Sequence, residues 1–263
     1  MKHRFLAALA AITMISLAAC HQNKPPAEST VWEEPSVSSQ PETSTTTVPE
    51  SVVSQPTHSQ LYIPGVSVED VILYFNEVCL DGEIINSGDP SYVQKWIAPI
   101  YYSLEGDYTD ADLATLTSFT DWLNSIDGFP GISQTEDPLK RNLRIHFCDE
   151  QTLLSLMGRN FEGMDGAVTF WYADNIIYDA IICYRTDLNQ YLRNSVILEE
   201  IYNVLGPIQD TSLRPDSIIY QEFSEPQQLT AVDELILRLL YHPDIQPGMN
   251  KQQCEQVIRS LYY

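Results

Sequence analysis

Apolar and polar positions along residues 61–263 follow two periods, and their order predicts a domain built from helices and strands. Apolar residues recur at helical spacing in five segments: 67–79, 109–126, 189–205, 230–241 and 250–262. Alternating or short apolar runs predict four strands: 96–104, 142–148, 167–172 and 176–185. The last two strands are separated by Ala173-Asp174-Asn175, which is typical of a tight turn. This order of elements predicts an α+β fold.

Two of the predicted helices begin with recognisable cap residues. Thr109 is followed three positions later by Asp112, and Ser67 is followed at the same spacing by Asp70. A hydroxyl side chain and an acidic partner at this spacing satisfy the free N–H groups of a first helical turn. The spacing therefore supports helix starts near 67 and 109.

The N-terminus predicts export and a lipid anchor. Lys2 and Arg4 precede an apolar run over 5–17, which has signal-peptide length and is too short to span a bilayer. Leu-Ala-Ala-Cys at 17–20 resembles a bacterial lipobox, in which the chain is cut before the cysteine and that cysteine is lipidated. We therefore expect a lipoprotein signal peptide over 1–19 and an extracytoplasmic chain tethered to the bacterial membrane through Cys20. A plain secretory signal is the alternative.

Residues 20–60 are dominated by Ser, Thr, Pro, Gln and Glu. Such a stretch has too little apolar surface to offset the entropy of ordering, so a disordered, lipid-anchored linker is expected. Residues 61–263 then form a single globular domain of ordinary size.

The net charge of the chain argues against polyanionic partners. The chain has 14 Lys and Arg against 36 Asp and Glu, a net charge of −22. Nucleic acids and anionic lipid surfaces repel such a protein, so neither is an expected partner.

Four cysteines lie in the domain, at positions 79, 148, 183 and 254. They are widely spaced without a C-x-x-C pair, which makes a cysteine zinc site unexpected. Cys79, Cys148 and Cys183 stand in apolar contexts typical of buried free thiols. Disulfide pairing in an exported protein remains the alternative.

One segment of the helix predicted over 189–205 has the spacing of a metalloprotease active-site helix. In the metzincin pattern H-E-x-x-H-x-x-G-x-x-H, histidines one turn apart bind zinc, a glutamate between them is catalytic, and a glycine ends the helix. Glu199, Glu200, Asn203, Gly206 and Gln209 occupy these five positions in that order. The segment therefore resembles a zincin helix that keeps the glutamate and the glycine and lacks all three histidines.

The remaining side chains offer oxygen rather than nitrogen to a metal. Glu199 and Asn203 share one helix face, and Gln209 or Asp210 supplies a third contact. Oxygen ligands suit calcium or magnesium better than zinc, and these ions want more oxygens than one helix face offers. We therefore expect no metal and no cofactor, with a non-zinc divalent metal as the alternative.

Glu200 is the candidate catalytic residue, because a carboxyl next to a second carboxyl can act as a general acid or base when burial raises its pKa. The alternative, which we favour, is an acidic pair in which one of Glu199 and Glu200 is buried and hydrogen-bonded to backbone or to Tyr202. Gly-x-Ser-x-Gly and Ser-x-x-Lys nucleophile motifs are absent from the sequence.

Two histidines lie in the domain. His146 alternates with the apolar residues of its strand and faces away from them, and His242 follows a helix end. A site that combines either histidine with Glu200 is a minor alternative. A set of aromatic residues either lines a sugar or peptide cleft along an edge strand or, more simply, packs within the sheet: Phe170, Trp171, Tyr172, Tyr178 and Tyr184.

Two stretches carry a closer family resemblance. They are Glu-Glu-x-x-Asn-x-Leu-Gly at 199–206 and Leu-Tyr-His-Pro-Asp-Ile-Gln-Pro-Gly-Met at 240–249. With them, about residues 67–262 resemble the bacterial lipoprotein family called domain of unknown function 2927, which carries Gln where this chain has Asn203. Together the two resemblances imply a zincin-like twisted mixed sheet with a backing helix, an active-site-type helix and a small, mostly helical C-terminal lobe.

Two classes of function follow from these patterns. The first is a catalytically degenerate zincin-like domain that binds a peptide, glycan or envelope-protein partner in the old cleft. The second is a peptidase or other hydrolase that uses Glu200 with a non-standard metal site. Because the histidines are missing, we expect the first class and a protein that is not an enzyme.

Overall fold

A computed structural model describes residues 61–80, 92–222 and 225–263. The predicted signal peptide, the lipidation site Cys20 and the linker over 20–60 lie outside these residues, so they stay predictions. Among the helices of the described part, none is long and apolar enough to cross a membrane.

A five-stranded mixed sheet forms the centre of the fold. Its strands are β1 Ile100–Gly106, β2 Ile132–Gln134, β3 Leu143–Cys148, β4 Gly166–Ala173 and β5 Ile176–Arg185. They lie in the order β2-β1-β3-β5-β4, and all neighbours are parallel except β4 and β5. Asp174 and Asn175 both take positive φ in the turn of the β4–β5 hairpin, as the predicted tight turn requires. β4 is therefore an antiparallel edge strand.

The α-helices are α1 Val68–Leu80, α2 Asp110–Leu123, α3 Glu150–Met157, α4 Gln190–Val204, α5 Ala231–Leu240 and α6 Lys251–Leu261. All except α3 confirm the five segments predicted from helical spacing. Thr109 and Asp112 form the predicted capping box of α2, and Ser67 accepts the backbone N–H of Asp70. With the mixed sheet, these helices confirm the predicted α+β fold.

The two faces of the sheet have different surroundings. Alternate residues of β3, such as Leu143 and Ile145, point to the face where α2 and α4 pack and are fully buried. On the opposite face, α3 covers a smaller cluster that includes Leu153 and Cys183. Helix α2 is thus the backing helix, and α4 lies between it and the strands β4 and β5.

The C-terminal helices form a lobe in which α1 takes part, since α1 packs on α5 and α6. The buried carboxylate of Asp233 accepts hydrogen bonds from the hydroxyls of Tyr74 and Ser217, each at 2.8 Å. Buried Lys95 donates to the carbonyl of Leu240 at 2.8 Å, next to the end of α5. These contacts tie the segment before β1 and the helix α1 to the C-terminal lobe.

Three elements differ from the sequence prediction. The strand predicted over 96–104 begins only at Ile100, because Pro99 cannot donate to a ladder and Trp96 instead packs in the core. Strand β2 and helix α3 were not predicted. Each buries a single side chain, Ile132 and Leu153 respectively, so neither leaves a periodic apolar pattern in the sequence.

Candidate functional site

Helix α4 carries the candidate site, and its C-terminal end is held by long-range hydrogen bonds. The indole N–H of Trp96 donates to the carbonyl of Val204 at 2.9 Å. The hydroxyl of Tyr241 donates to the carbonyl of Leu205 at 2.8 Å. These bonds satisfy carbonyls that have no partner within the helix. Gly206 has φ +127°, and a Cβ there would lie 2.4 Å from the carbonyl oxygen of Gln94. Gly206 is therefore required by its backbone conformation and by its close contact with Gln94, whether or not the protein is an enzyme.

The other end of α4 is fixed by a buried ion pair. Arg193 is 5 % exposed and donates from Nε to Asp112, which is fully buried on α2, at 2.8 Å. Gln190 donates to the same carboxylate at 2.7 Å. Burial opposes the charge of Asp112, but the hydrogen bonds from Gln190, Thr109 and Arg193 outweigh it and lower the pKa of that carboxyl. Asp112, which takes part in the capping box of α2, thus also holds the first turn of α4 in place.

Both glutamates of the motif are buried, which corrects the expectation that only one would be. Glu199 is 9 % exposed and Glu200 is 3 % exposed. The hydroxyl of Tyr202, expected as a partner, donates instead to the carbonyl of Asp233 at 3.0 Å. The acidic pair therefore lies inside the domain without the Tyr202 hydrogen bond that the sequence suggested.

Glu200 lies beneath the first residue of the edge strand. A Cβ on Gly166 would be 2.8 Å from Oε1 of Glu200 and 2.4 Å from Cγ1 of Val196. Real Cβ contacts are longer than this, so only glycine at position 166 leaves room for the carboxyl. The sequence analysis missed Gly166, whose importance depends on a contact between β4 and α4 that spacing does not reveal.

Burial keeps protons on this pair. Desolvation raises the pKa of Glu200 from 4.5 to about 8, and the negative charge of Asp210 adds to the effect. Desolvation also raises the pKa of Glu199 well above its usual value, with further contributions from Glu200, Asp210 and Asp165. Four carboxyls therefore act on one another around the C-terminal half of α4, and Glu200 is mostly protonated at neutral pH.

Asp210 is positioned by α1, although it follows α4 in the chain. The N–H of Gln209 donates to the carbonyl of Val78 at 3.3 Å. The carboxylate of Glu77 accepts hydrogen bonds from the N–H and the hydroxyl of Ser212, at 2.9 and 2.8 Å. The loop after Gly206 is thus clamped on both sides of Asp210. Glu77 was not singled out in the sequence, because its partners lie more than 130 positions away.

The predicted ligand positions do not fit zinc. Glu199 and Asn203 lie one turn apart on α4 as expected, and they offer a carboxyl and an amide oxygen rather than the imidazole or thiolate that zinc prefers. The amide oxygen of Asn203 is buried without a hydrogen-bond partner among the described residues. Across the described ranges, no three His, Cys, Asp or Glu side chains are grouped to hold a metal. That the protein binds no metal stays a prediction.

Each of the two histidines lies near a carboxylate other than Glu199 or Glu200. His146 faces the side of the sheet opposite to α4, where its Nδ1 is 3.5 Å from the carboxylate of Glu105. A site combining His146 with Glu200 is therefore wrong. His242 follows α5 and lies 3.7 Å from the carboxylate of Asp244.

The aromatic residues separate into two groups. Phe170 is 3 % exposed, and Tyr184 is fully buried with its hydroxyl donating to the carbonyl of Ile197. Both are core residues, so a role in lining an open cleft is wrong for them. Trp171 packs under the guanidinium of Arg144 on the other sheet face, while Tyr178 is 54 % exposed.

Strand β4 presents alternate backbone groups at the free edge of the sheet. Arg185 donates to the carbonyl of Asp165 at 3.0 Å, which fixes the phase of the β4–β5 ladder. In an antiparallel pair, residues alternate between bonding the partner strand and pointing away from it. The N–H and C=O groups of Gly166, Val168 and Phe170 therefore point outward. Among the described residues, no backbone partner is found for them on that side.

Comparisons with known proteins add a family and a distant structural likeness. A search among curated proteins finds no match. The crystal structure of myroilysin is similar to this chain with a TM-score of 0.37 and 9 % identity, over 56 % of this chain and 86 % of that one. At this TM-score the likeness carries no argument about activity. A family model described as "Protein of unknown function (DUF2927)" matches residues 69–260, which confirms the predicted resemblance, and the chain therefore belongs to that family.

Proposed function

We propose that this chain is a lipid-anchored protein of the bacterial cell envelope whose zincin-like domain binds an extended peptide segment of a partner and does not hydrolyse it. The segment would add to the edge of β4 above Glu200. Among the peptide, glycan and protein partners expected from the sequence, an extended peptide segment is favoured by the outward-pointing backbone of β4. The observation that carries the proposal is that these β4 backbone groups have no strand partner among the described residues. Because Gly166, Val168 and Phe170 are buried, the edge must open for the segment to enter.

Strand addition supplies affinity through backbone hydrogen bonds, and it needs neither a metal nor a nucleophile. The outward groups of Gly166, Val168 and Phe170 offer three N–H donors and three C=O acceptors at alternate positions. Val168 and Phe170 are nearly buried by the α4-side core, so the edge is held in an extended conformation before the segment arrives. Preorganisation of this kind reduces the entropic cost of binding.

Charge favours a segment with a basic side chain. Glu199, Glu200, Asp165 and Asp210 act on one another near the start of β4, and the whole chain has a net charge of −22. A cationic group that reaches this region favours ionisation of Glu199 and Glu200, which otherwise keep their protons. We therefore expect lysine- or arginine-containing segments to be preferred.

The experiment is a selection from a library of extended peptides on the immobilised protein, followed by affinity measurements on the retained sequences. Val168→Pro removes one outward N–H and leaves the ladder bonds of its neighbours to β5 intact. Its matched control, Val168→Ala, loses more core packing but keeps the N–H. We expect binding to weaken about tenfold in the proline variant and less than about threefold in the alanine variant. Equal effects of the two changes would contradict strand addition.

A hydrolase is the second candidate, and the position of Glu200 favours it. A peptide on the β4 edge would pass close to a carboxyl whose pKa is about 8, a value suited to proton transfer at neutral pH. Such a peptidase would also need the non-standard metal site, for which Glu199, Asn203, Gln209 and Asp210 are the predicted ligands. Turnover of a library peptide that disappears in Glu200→Gln would establish this candidate over the first.

A further inference from the structure

Two cysteines meet on the sheet face that α3 covers. Cys148 ends β3 and Cys183 lies in β5, where the register pairs Cys148 with Arg185 and Cys183 with His146. The two residues are thus diagonal neighbours on adjacent parallel strands, and their side chains lie on the same sheet face. The two side chains lie close enough for each thiol to perturb the pKa of the other. Sequence spacing gave no sign of this contact, because 35 positions separate the two residues.

The two thiols differ in access and in charge stabilisation. Cys148 is partly exposed, whereas Cys183 is fully buried in the small cluster with Leu153 and Phe161. The neighbouring Cys183 thiol lowers the pKa of the Cys148 thiol, and the guanidinium of Arg185 also favours the Cys148 thiolate. The Cys148 thiol, together with burial, raises the pKa of Cys183. Thiolates are the reactive form of cysteine, so Cys148 is the more reactive of the two.

We propose that Cys148 and Cys183 form a reversible redox pair, in which Cys148 attacks a small-molecule disulfide such as oxidised glutathione and Cys183 resolves the product into an intramolecular disulfide.

The reaction balances as two thiol–disulfide exchanges. The Cys148 thiolate attacks one sulfur of the small disulfide, the S–S bond of that molecule breaks, and one glutathione leaves as a thiolate that takes a proton from water. The Cys183 thiol then attacks the Cys148 sulfur, the bond between Cys148 and glutathione breaks, and the proton of Cys183 passes to the departing glutathione, which leaves as a thiol. Two protein thiols lose two electrons in total, and one disulfide is reduced to two thiols.

The geometry predicts a strained bond that forms with a small shift of the two strands and is easily broken. Diagonal neighbours on adjacent strands have Cα atoms about 7–8 Å apart, which is at or beyond the upper limit for an unstrained disulfide. Strained disulfides are more easily reduced than relaxed ones. We therefore expect a few millimolar reduced glutathione to reopen the bond.

The pair lies next to the proposed peptide-binding edge. Cys183 is paired across the β4–β5 ladder with Ala167, the neighbour of Gly166. A bond between Cys148 and Cys183 would cross-link β3 to β5 directly beside the start of β4. This position is independent of the proposed function, and the redox pair stands whether or not β4 binds a peptide.

Cys79 and Cys254 supply an internal control. They lie on α1 and α6, close enough for Cys254 to act electrostatically on Cys79, and both are fully buried. Desolvation raises the pKa of each thiol. They should therefore stay reduced under conditions in which Cys148 and Cys183 react.

The test treats the purified, reduced full chain with oxidised glutathione and then alkylates the remaining thiols in denaturant. Non-reducing peptide mapping by mass spectrometry should show two fewer alkylated thiols than the reduced chain and a cross-link between the peptides that contain Cys148 and Cys183. Cys183→Ala should instead retain one glutathione on Cys148, because the resolving thiol is gone. Cys148→Ala should lose the reaction, and a Cys79→Ala, Cys254→Ala double variant should keep the cross-link.

Two outcomes would overturn the proposal. One is a native chain that keeps all its thiols after oxidation. The other is a native chain whose only cross-link joins a pair of cysteines other than Cys148 and Cys183, such as Cys79 and Cys254. The mapping of the native chain decides between these outcomes by itself, so the conclusion does not depend on the folding of a variant.

Discussion

Replacing Glu200 by glutamine should make the protein less sensitive to pH. Burial and the charge of Asp210 raise the pKa of Glu200 to about 8 in the folded chain, whereas its ordinary value is 4.5. Between these values the folded chain keeps a proton that the unfolded chain releases. The stability contributed by Glu200 is therefore complete below about pH 4.5 and is lost as pH rises towards 8.

The magnitude follows from the linkage of one proton. One bound proton changes the free energy of unfolding by about 1.4 kcal/mol per pH unit. From pH 4.5 to pH 7 the loss attributable to Glu200 is thus about 3 kcal/mol. Glutamine resembles the protonated carboxyl in shape and carries no charge, so Glu200→Gln should match the native protein below pH 4.5 and exceed its stability by about 1 kcal/mol at pH 5. At pH 7 the variant should be more stable by about 3 kcal/mol.

Urea unfolding of the purified protein at pH 5, 6 and 7 measures this difference directly. His146 has a pKa lowered by burial, and its pH dependence is shared by both proteins, so it cancels in the difference. The exposed Glu162 supplies the matched control, because Glu162→Gln removes the same charge without changing the buried pair. The reasoning would be refuted if the difference in free energy of unfolding between the native protein and Glu200→Gln stayed constant from pH 5 to pH 7.

Three further predictions concern the position of α4 and the anchor. Gly206→Ala should destabilise the fold by about 2–4 kcal/mol in urea unfolding, since a Cβ would lie 2.4 Å from the Gln94 carbonyl at a φ of +127°; a loss below about 1 kcal/mol would show that the chain reversal relaxes easily. Asp112→Ala should cost about 3–5 kcal/mol by leaving Arg193 buried without its carboxylate, and an unchanged denaturation midpoint would contradict the role given to this pair. Cys20→Ser should abolish incorporation of a fatty-acid label and release the protein from the membrane fraction; labelling that persists in the variant would exclude Cys20 as the anchor.

The sequence predicted the elements that bury periodic apolar faces and missed those that do not. The five predicted helices lie within one to three residues of their observed bounds, because each packs one face into the core. Strand β2 has three residues and α3 buries only Leu153, so their positions depend on neighbouring elements. Asp149, which caps α3 by accepting from the N–H of Thr152, is the signal that would have indicated that helix.

The site was predictable along one helix but not across elements. Spacing identified Glu199, Glu200 and Asn203 correctly as neighbours on α4. The room that Gly166 leaves for the Glu200 carboxyl depends on the distance from β4 to α4. The role of Glu77 depends on its contact with Ser212, which lies 135 positions later in the chain. Contacts of this kind are fixed by tertiary packing, which a single sequence does not encode in any local pattern.

The most direct test of a domain that binds peptides without cleaving them is mass spectrometry of a peptide library incubated with the protein and supplied zinc, calcium and manganese. We predict that a subset of peptides containing lysine or arginine is retained on the native protein and that every peptide keeps its full mass. Shorter products that appear with the native protein and are absent with Glu200→Gln would contradict the account and establish a hydrolase.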